Sequence, residues 1–117
     1  MKNFLLVFFL LIININFSLS DRKSRNENSK QKTNYEKAVS LIKTAKKNEK
    51  KGKVEKAEKR YQKAQKLLIK ANKKNPKNAD TLNYLGFTTR KLGNFEQGEK
   101  YYLQGLDINP NHIGINE

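Results

Sequence analysis

The sequence predicts an all-α protein built from antiparallel helix pairs. Between residues 33 and 112, apolar residues recur every three or four positions, and no segment shows the alternation of a half-buried strand. Capping signals and turn residues divide this region into helices with short connections, which favours antiparallel neighbours. The chain has 117 residues, of which only 36% are hydrophobic. It therefore holds one small domain or a few units of a repeat array.

The first twenty residues have the pattern of a secretory signal peptide. Lys2 precedes an uninterrupted apolar run at residues 4–13, and the small residues Ser18 and Ser20 fit a signal-peptidase site. A membrane-spanning helix needs about 20 apolar residues, and this run is half that length. We therefore expect residues 1–20 to be removed and the protein to be exported, with a periplasmic location. The alternative is an uncleaved segment that anchors the protein in the membrane.

Charge divides the remaining chain into a basic part and a nearly neutral part. Residues 21–78 carry 21 basic and 6 acidic side chains, whereas residues 79–117 carry 3 basic and 5 acidic ones. The stretch 21–32 contains no apolar residue, so we expect it to be a disordered basic linker.

A long basic helical hairpin is predicted for residues 33–78. Its first helix begins at a capping box in residues 33–36, where a Thr oxygen and a Glu carboxylate each accept from the other residue's amide. Gly52 is the expected stop of this helix. The second helix runs from about 54 to 74 and ends at Asn75-Pro76.

Two shorter helices follow. The third is predicted for residues 79–92 and ends at the Gly93-Asn94 turn. A second capping box, residues 94–97, opens a fourth helix over about 95–108. Pro110 cannot continue that helix and closes the unit.

A set of spaced residues runs through this last hairpin. These residues, which we expect to form the packing between helices, are Leu82, Leu85, Gly86, Gly98, Tyr102, Gly105 and Pro110. The pattern over 79–112 resembles a tetratricopeptide repeat, a 34-residue helix–turn–helix motif that closes on Pro. The resemblance implies a TPR-like α-solenoid, in which Gly86 and Gly98 permit a close helix crossing and Tyr102 fills the space between the helices. Thr89 departs from the motif's aromatic residue, and Gly98 and Gly105 from its usual Ala.

The hairpin at 33–78 looks like a divergent second copy of the same unit. Turn Gly, apolar, small and aromatic residues follow in the same order, but Pro76 lies one heptad later than the 34-residue pattern requires. The alternative is an ordinary helical hairpin that caps a single repeat. After the unit at 79–112, residues 113–117 read as the start of a further, incomplete repeat helix.

The uncapped C-terminal helix leads to a further expectation. A repeat buries its apolar face only against a neighbour, and solenoids need about three units and a polar cap. We therefore expect the chain to be a truncated or partial product of a longer array. The alternatives are that the tail frays, or that two chains associate through this helix.

The third helix has two distinguishable faces. One face, expected to meet the fourth helix, holds Leu82, Leu85, Thr89 and Leu92. The opposite face holds Asp80, Asn83, Phe87, Arg90 and Lys91. First helices line the peptide-binding groove of tetratricopeptide arrays, so the resemblance implies that these five residues contact a partner protein. The alternative for Phe87 is packing against the preceding hairpin.

Lysines cover the first two helices. They are Lys43, Lys46, Lys47, Lys50, Lys51, Lys53, Lys56, Lys59, Lys63, Lys66, Lys70, Lys73 and Lys74. One interpretation is an electrostatic surface for anionic envelope polymers or lipids. The other is a solvated helix surface in a protein rich in Lys and Asn. No nucleic acid is expected, because Arg is scarce, aromatic residues among the lysines are few and the protein is predicted to be exported.

Composition argues against chemistry. The chain has no Cys, no Trp and one His, which excludes a disulfide scaffold, a thiolate metal site and a Cys nucleophile. His112 has no acidic cluster near it in the sequence, and no phosphate-binding glycine motif occurs. We therefore expect no catalytic residue, no metal and no cofactor. The sequence favours a non-enzymatic protein–protein interaction scaffold of the cell envelope.

Overall fold

A computed structural model describes residues 31–117. The predicted signal peptide, residues 1–20, and residues 21–30 of the predicted linker lie outside the described residues. The helices are α1 (Asn34–Lys50), α2 (Val54–Lys74), α3 (Ala79–Lys91), α4 (Phe95–Ile108) and the short α5 (Ile113–Asn116). Residues 31–117 contain no strand, so the predicted all-α class with packed helix pairs is confirmed.

The first hairpin is built on small residues. At the start of α1, the Thr33 hydroxyl accepts from the Glu36 amide at 3.1 Å, and the Glu36 carboxylate accepts from the Thr33 amide at 2.9 Å. The chain turns at Gly52, whose φ of 73° lies in the left-handed region that glycine adopts at little cost. The buried residues between α1 and α2 are Ala38, Ile42, Ala45, Ala57, Tyr61, Ala64 and Leu68. Four alanines in this set let the two helices pack closely.

The second hairpin repeats this plan with different caps. The Asn78 side chain accepts from the Thr81 amide at 3.1 Å and begins α3, and Gly93, with φ of 93°, ends it. Asn94 caps α4 by accepting from the Gln97 amide at 3.2 Å. The reciprocal half of the predicted capping box is not formed here. The Asn94 amide instead donates to the carbonyl of Thr89 at 3.1 Å, so it already has a partner.

The two hairpins share a register. Gly52 and Gly93 are 41 residues apart, and each is followed within two residues by a new helix. The same offset relates Ala57 to Gly98, Tyr61 to Tyr102 and Ala64 to Gly105. The second helix of the first hairpin has 21 residues and that of the second hairpin has 14. This extra heptad is the one that the position of Pro76 indicated.

Helix α3 lies between α2 and α4 and joins the hairpins. Leu82 and Leu85 are buried in one core with Leu68 and the alanines of the first hairpin. Thr89, which was expected to meet the fourth helix, bonds to α2 instead: its hydroxyl accepts from the Gln65 side chain at 3.0 Å. Thr89 is buried between two helices, and its hydroxyl finds a polar partner only where a polar side chain faces it.

The short helix α5 begins in the same way as α3, which starts 34 residues before it in the sequence. His112 is its N-cap, and His112 Nδ1 accepts from the Ile115 amide at 3.2 Å, as Asn78 does for Thr81. The Ile115 side chain lies against Gly105 of α4. Within residues 31–117, no helix has both the length and the apolar character needed to cross a membrane.

Candidate interaction surface

Glycines set how closely α3 and α4 approach. A side chain at Gly86 would overlap the ring of Tyr102, which therefore lies directly against the α3 backbone. Gly98 on α4 faces the α3 backbone at the carbonyl of Gly86 and the stem of Arg90. Leu82 and Leu85 are 2% and 0% exposed and fill the seam. These contacts fix the position of α3 against α4.

Phe87 packs against the first hairpin. Its ring meets that of Tyr61 edge to face, with centroids 5.8 Å apart, and the Lys46 Nζ lies 4.6 Å from its centroid. An edge-to-face pair of this kind contributes about 0.5–1.5 kcal/mol beyond area burial. Phe87 therefore takes the packing role that the sequence left as an alternative, while part of its ring still faces outward.

Lys91 bridges α3 to α1. Its Nζ lies 3.1 Å from both carboxylate oxygens of Glu49. Next to this pair, Tyr61 is 2% exposed, and its hydroxyl has no hydrogen-bond partner among the described residues. Burial, followed by the nearby Glu49 carboxylate, raises the pKa of Tyr61 to about 12. The ion pair is about one-third exposed, so it contributes little stability and mainly fixes where Lys91 points.

The first two predicted groove residues lie at the other end of α3. Asp80 Oδ1 lies 2.6 Å from His112 Nε2, and Asn83 lies against Gly114 of α5. Nearby, Tyr35 of α1 and Tyr84 pack edge to face at 5.9 Å. Burial, followed by the charge of Asp80, raises the pKa of Tyr35. Asn83 is thus partly covered by α5, while Asp80 stays exposed beside the residue that caps α5, and neither lines the pocket that Phe87 lines.

Arg90 turns toward α4. Its stem lies against Gly98, and its guanidinium carbon is 6.0 Å from the centroid of the Phe95 ring. A pocket of about 490 Å³ opens beside it. The pocket is lined by Glu49, Phe87, Arg90, Lys91, Phe95 and Tyr102. Three of the five predicted groove residues therefore meet in one place, and two do not.

The sequence reasoning missed Phe95 as a surface residue. Phe95 is 65% exposed, which is high for a large aromatic side chain in the first position of a helix. The 41-residue offset between the two hairpins makes Phe95 equivalent to Val54, and Val54 is also 65% exposed. A position that stays exposed in both hairpins cannot be part of the core, so an aromatic ring there is available for contact.

The sequence from α3 to the turn after α4 matches a known family. A model of the tetratricopeptide repeat family fits residues 79–112. Residues 79–112 are a tetratricopeptide repeat. Tetratricopeptide repeats are in general non-catalytic modules that bind other proteins. Searches of curated proteins and of solved structures gave no match. That α1 and α2 form a divergent copy of this repeat stays a prediction, since the match does not include them.

The pocket presents groups that can contact a partner. No group of three or more His, Cys, Asp and Glu side chains that could hold a metal ion occurs in the described region. The pocket combines two aromatic rings that face outward with two cations, of which Lys91 is held by Glu49. Such a site can accept an apolar side chain and pair Arg90 with an anionic group.

Proposed function

We propose that the protein is a non-enzymatic interaction scaffold of the cell envelope. It takes a peptide or helix of a partner protein into the pocket at the C-terminal end of α3. One observation supports this above the others: Phe87, Arg90 and Lys91, selected from the sequence as partner contacts, line one pocket together with Phe95. The tetratricopeptide repeat at 79–112 supports protein binding as the general role.

The chemistry of the pocket specifies the kind of partner. The exposed Phe95 ring offers an apolar contact, and the Arg90 guanidinium next to it offers a bidentate site for a carboxylate. Lys91 is already paired with Glu49, which leaves Arg90 as the cation of the pocket that is better placed to bind an anion. We therefore expect a peptide with an apolar side chain directly beside an Asp or Glu.

The location in the envelope rests on the sequence. The apolar run at 4–13 and the small residues at 18 and 20 support export and cleavage, with Asp21 as the first residue of the mature chain. Sequencing the N-terminus of the protein purified from the envelope fraction tests this. A chain that retains Met1 and stays in the cytosolic fraction would contradict both export and the envelope role.

Phe95 gives a sharper test of the pocket than Phe87. Truncating Phe87 also removes its contact with the buried Tyr61, so lost binding could reflect looser packing. Phe95 is largely exposed, and Phe95→Ala removes only pocket surface. Val54→Ala is the matched control, because Val54 occupies the equivalent first helical position, has the same exposure and does not line this pocket.

The experiment selects peptides from a displayed random library on the full-length protein. We expect the selected peptides to carry an apolar residue beside a carboxylate, and Phe95→Ala to weaken their binding by about thirtyfold, the effect of a contact worth ~2 kcal/mol. Val54→Ala should bind them as the unchanged protein does. Equal binding by all three proteins, with circular dichroism showing intact helices, would remove the pocket assignment.

A further inference from the structure

Six lysines of α2 form a straight row on the helix surface. The lysine row consists of Lys56, Lys59, Lys63, Lys66, Lys70 and Lys73. Successive members are three or four residues apart, the spacing that keeps side chains on one line along a helix. At 1.5 Å per residue, the row is about 26 Å long. It therefore spans most of the helix.

The row faces away from the rest of the fold. The residues that α2 buries against α1, namely Ala57, Tyr61, Ala64 and Leu68, lie on the opposite side of the helix at 100° per residue. All six lysines of the row are exposed. The side of α2 that carries them is thus available along its whole length.

The charge of the row is not compensated within the described part of the chain. None of its six lysines forms a salt bridge with another residue of 31–117. The acidic residues of α2 are Glu55 and Glu58, both at its first turns, and none lies beyond residue 58. Like charges at this spacing destabilise a helix. An anion bound along the row would remove that repulsion.

We propose that the lysine row binds a linear polyanion with a phosphodiester or similarly spaced anionic backbone. Lysine is a flexible point charge and gives no planar recognition of a single group. The aromatic ring of α2 at Tyr61 is buried, so the row offers no stacking platform for bases. Binding therefore depends on the backbone charges of the polymer. The site is separate from the pocket and does not depend on the function proposed for it.

The shape of the row favours a polymer over a membrane surface. Six charges in one line on a convex helix match a chain that runs along the helix axis. A bilayer would engage a plane and gain from inserted apolar side chains. Beside the row, Ile69 is an apolar residue with substantial exposure, at 44%. One such residue offers little apolar area for insertion.

The test uses oligothymidylate as a polyanion of known charge, with the full-length protein. If six phosphates are neutralised, log K falls against log salt with a slope of about −4, and affinity drops about 300-fold between ~50 and ~200 mM salt. An oligothymidylate of about eight nucleotides carries roughly seven phosphates, enough to pair with every lysine of the row, so affinity should rise steeply with length up to about eight nucleotides and only slowly beyond.

Two variants of equal charge separate the row from net charge. Replacing Lys59, Lys63, Lys66 and Lys70 with Gln should bring the slope to about −1.4. The control replaces four of the exposed lysines of α1, Lys37, Lys43, Lys47 and Lys50, with Gln and should keep the slope near −4. Gln is a good helix former, so both variants should keep the helices intact by circular dichroism.

Two results would overturn the proposal. If the slope of log K against log salt becomes shallower by the same amount in both variants, binding reflects the formal net charge of +14 and not the row. The surface is a membrane contact if the protein binds phosphatidylglycerol vesicles more tightly than the oligonucleotide at ~0.15 M salt, and if the row variant no longer binds the vesicles while the α1 variant does. Retained oligonucleotide slope in the α1 variant and its loss in the row variant support the polymer site.

Discussion

Gly86 and Gly105 both lie inside helices, but a methyl group added at each meets different neighbours. At Gly105 the new Cβ would meet the Cδ1 atom of Ile115, the end of a flexible side chain on the short α5, while the Leu82 Cβ lies at an ordinary 3.4 Å. At Gly86 it would overlap several atoms of the Tyr102 ring, whose Cζ would lie 2.8 Å away. One substitution can be accommodated by a rotation, and the other requires a ring or a helix to move.

The expected effects differ in sign. Ala is more favourable than Gly in a helix interior by about 1 kcal/mol, and both variants gain this term. Gly105→Ala should therefore stabilise the protein by about 0.5–1 kcal/mol after Ile115 adjusts. Gly86→Ala adds an overpacking term of about 1–3 kcal/mol, so it should lose about 1 kcal/mol net. At ~4–8 °C per kcal/mol, Tm should rise by about 2–8 °C for Gly105→Ala and fall by about 4–8 °C for Gly86→Ala.

Thermal unfolding followed by circular dichroism measures both variants, and urea unfolding gives the free energies. Ala64→Gly is the matched control, because Ala64 is fully buried at the position equivalent to Gly105 and should lose at least the ~1 kcal/mol by which a helix interior favours Ala over Gly. If Gly105→Ala melts below the unchanged protein, or if Gly86→Ala melts above it, the contacts assigned to α3 and α4 are wrong.

Three smaller predictions concern titration and helix caps. The pKa of Tyr61 is about 12 in the folded protein against an ordinary value of 10.0, so folding favours its neutral form. The free energy of unfolding should therefore fall above pH 10.0, and it should fall more steeply than in Tyr61→Phe. Urea midpoints measured across this pH range test the difference. Asn94→Ala removes the cap of α4 and should lower stability by about 1 kcal/mol in thermal unfolding, while Asn94→Gly should lose only a few tenths. His112→Ala removes both the cap of α5 and the bond between His112 and Asp80. Hydrogen exchange at the Ile115 amide should therefore accelerate, while Tm should change little. Unchanged exchange would show that α5 is held by other contacts.

The helices themselves could be predicted from local signals. The limits of α2 and α4 coincide with those expected from apolar spacing, Gly at the turns and Pro after the ends. These signals act within one turn of the chain, so the sequence contains them completely. The lengthened α2 followed in the same way from the position of Pro76.

The neighbour that each face of α3 contacts was harder to predict than the residues at which α3 begins and ends. The helical wheel separates Thr89 from Arg90 correctly by angle but does not say which neighbouring helix stands at each angle. Four helices contact α3, and Thr89 bonds to α2 while Arg90 turns to α4. The five predicted groove residues were divided for the same reason, because Asp80 bonds to His112 at one end of α3 and the pocket forms at the other end.

The two proposed surfaces can be tested against each other, because they share no residue. The pocket is lined by residues of α1, α3 and α4, whereas the lysine row lies on α2 and faces away from α1. Both take anionic ligands, so a single diffuse site would make them compete. Saturating the row with an oligothymidylate of about eight nucleotides, which carries enough phosphates to pair with every lysine of the row, should leave the affinity for a pocket-selected peptide within about twofold. A tenfold loss would mean that peptide and polymer occupy one electrostatic surface, and the assignment of Arg90 as a specific carboxylate partner would then fail together with the separate row.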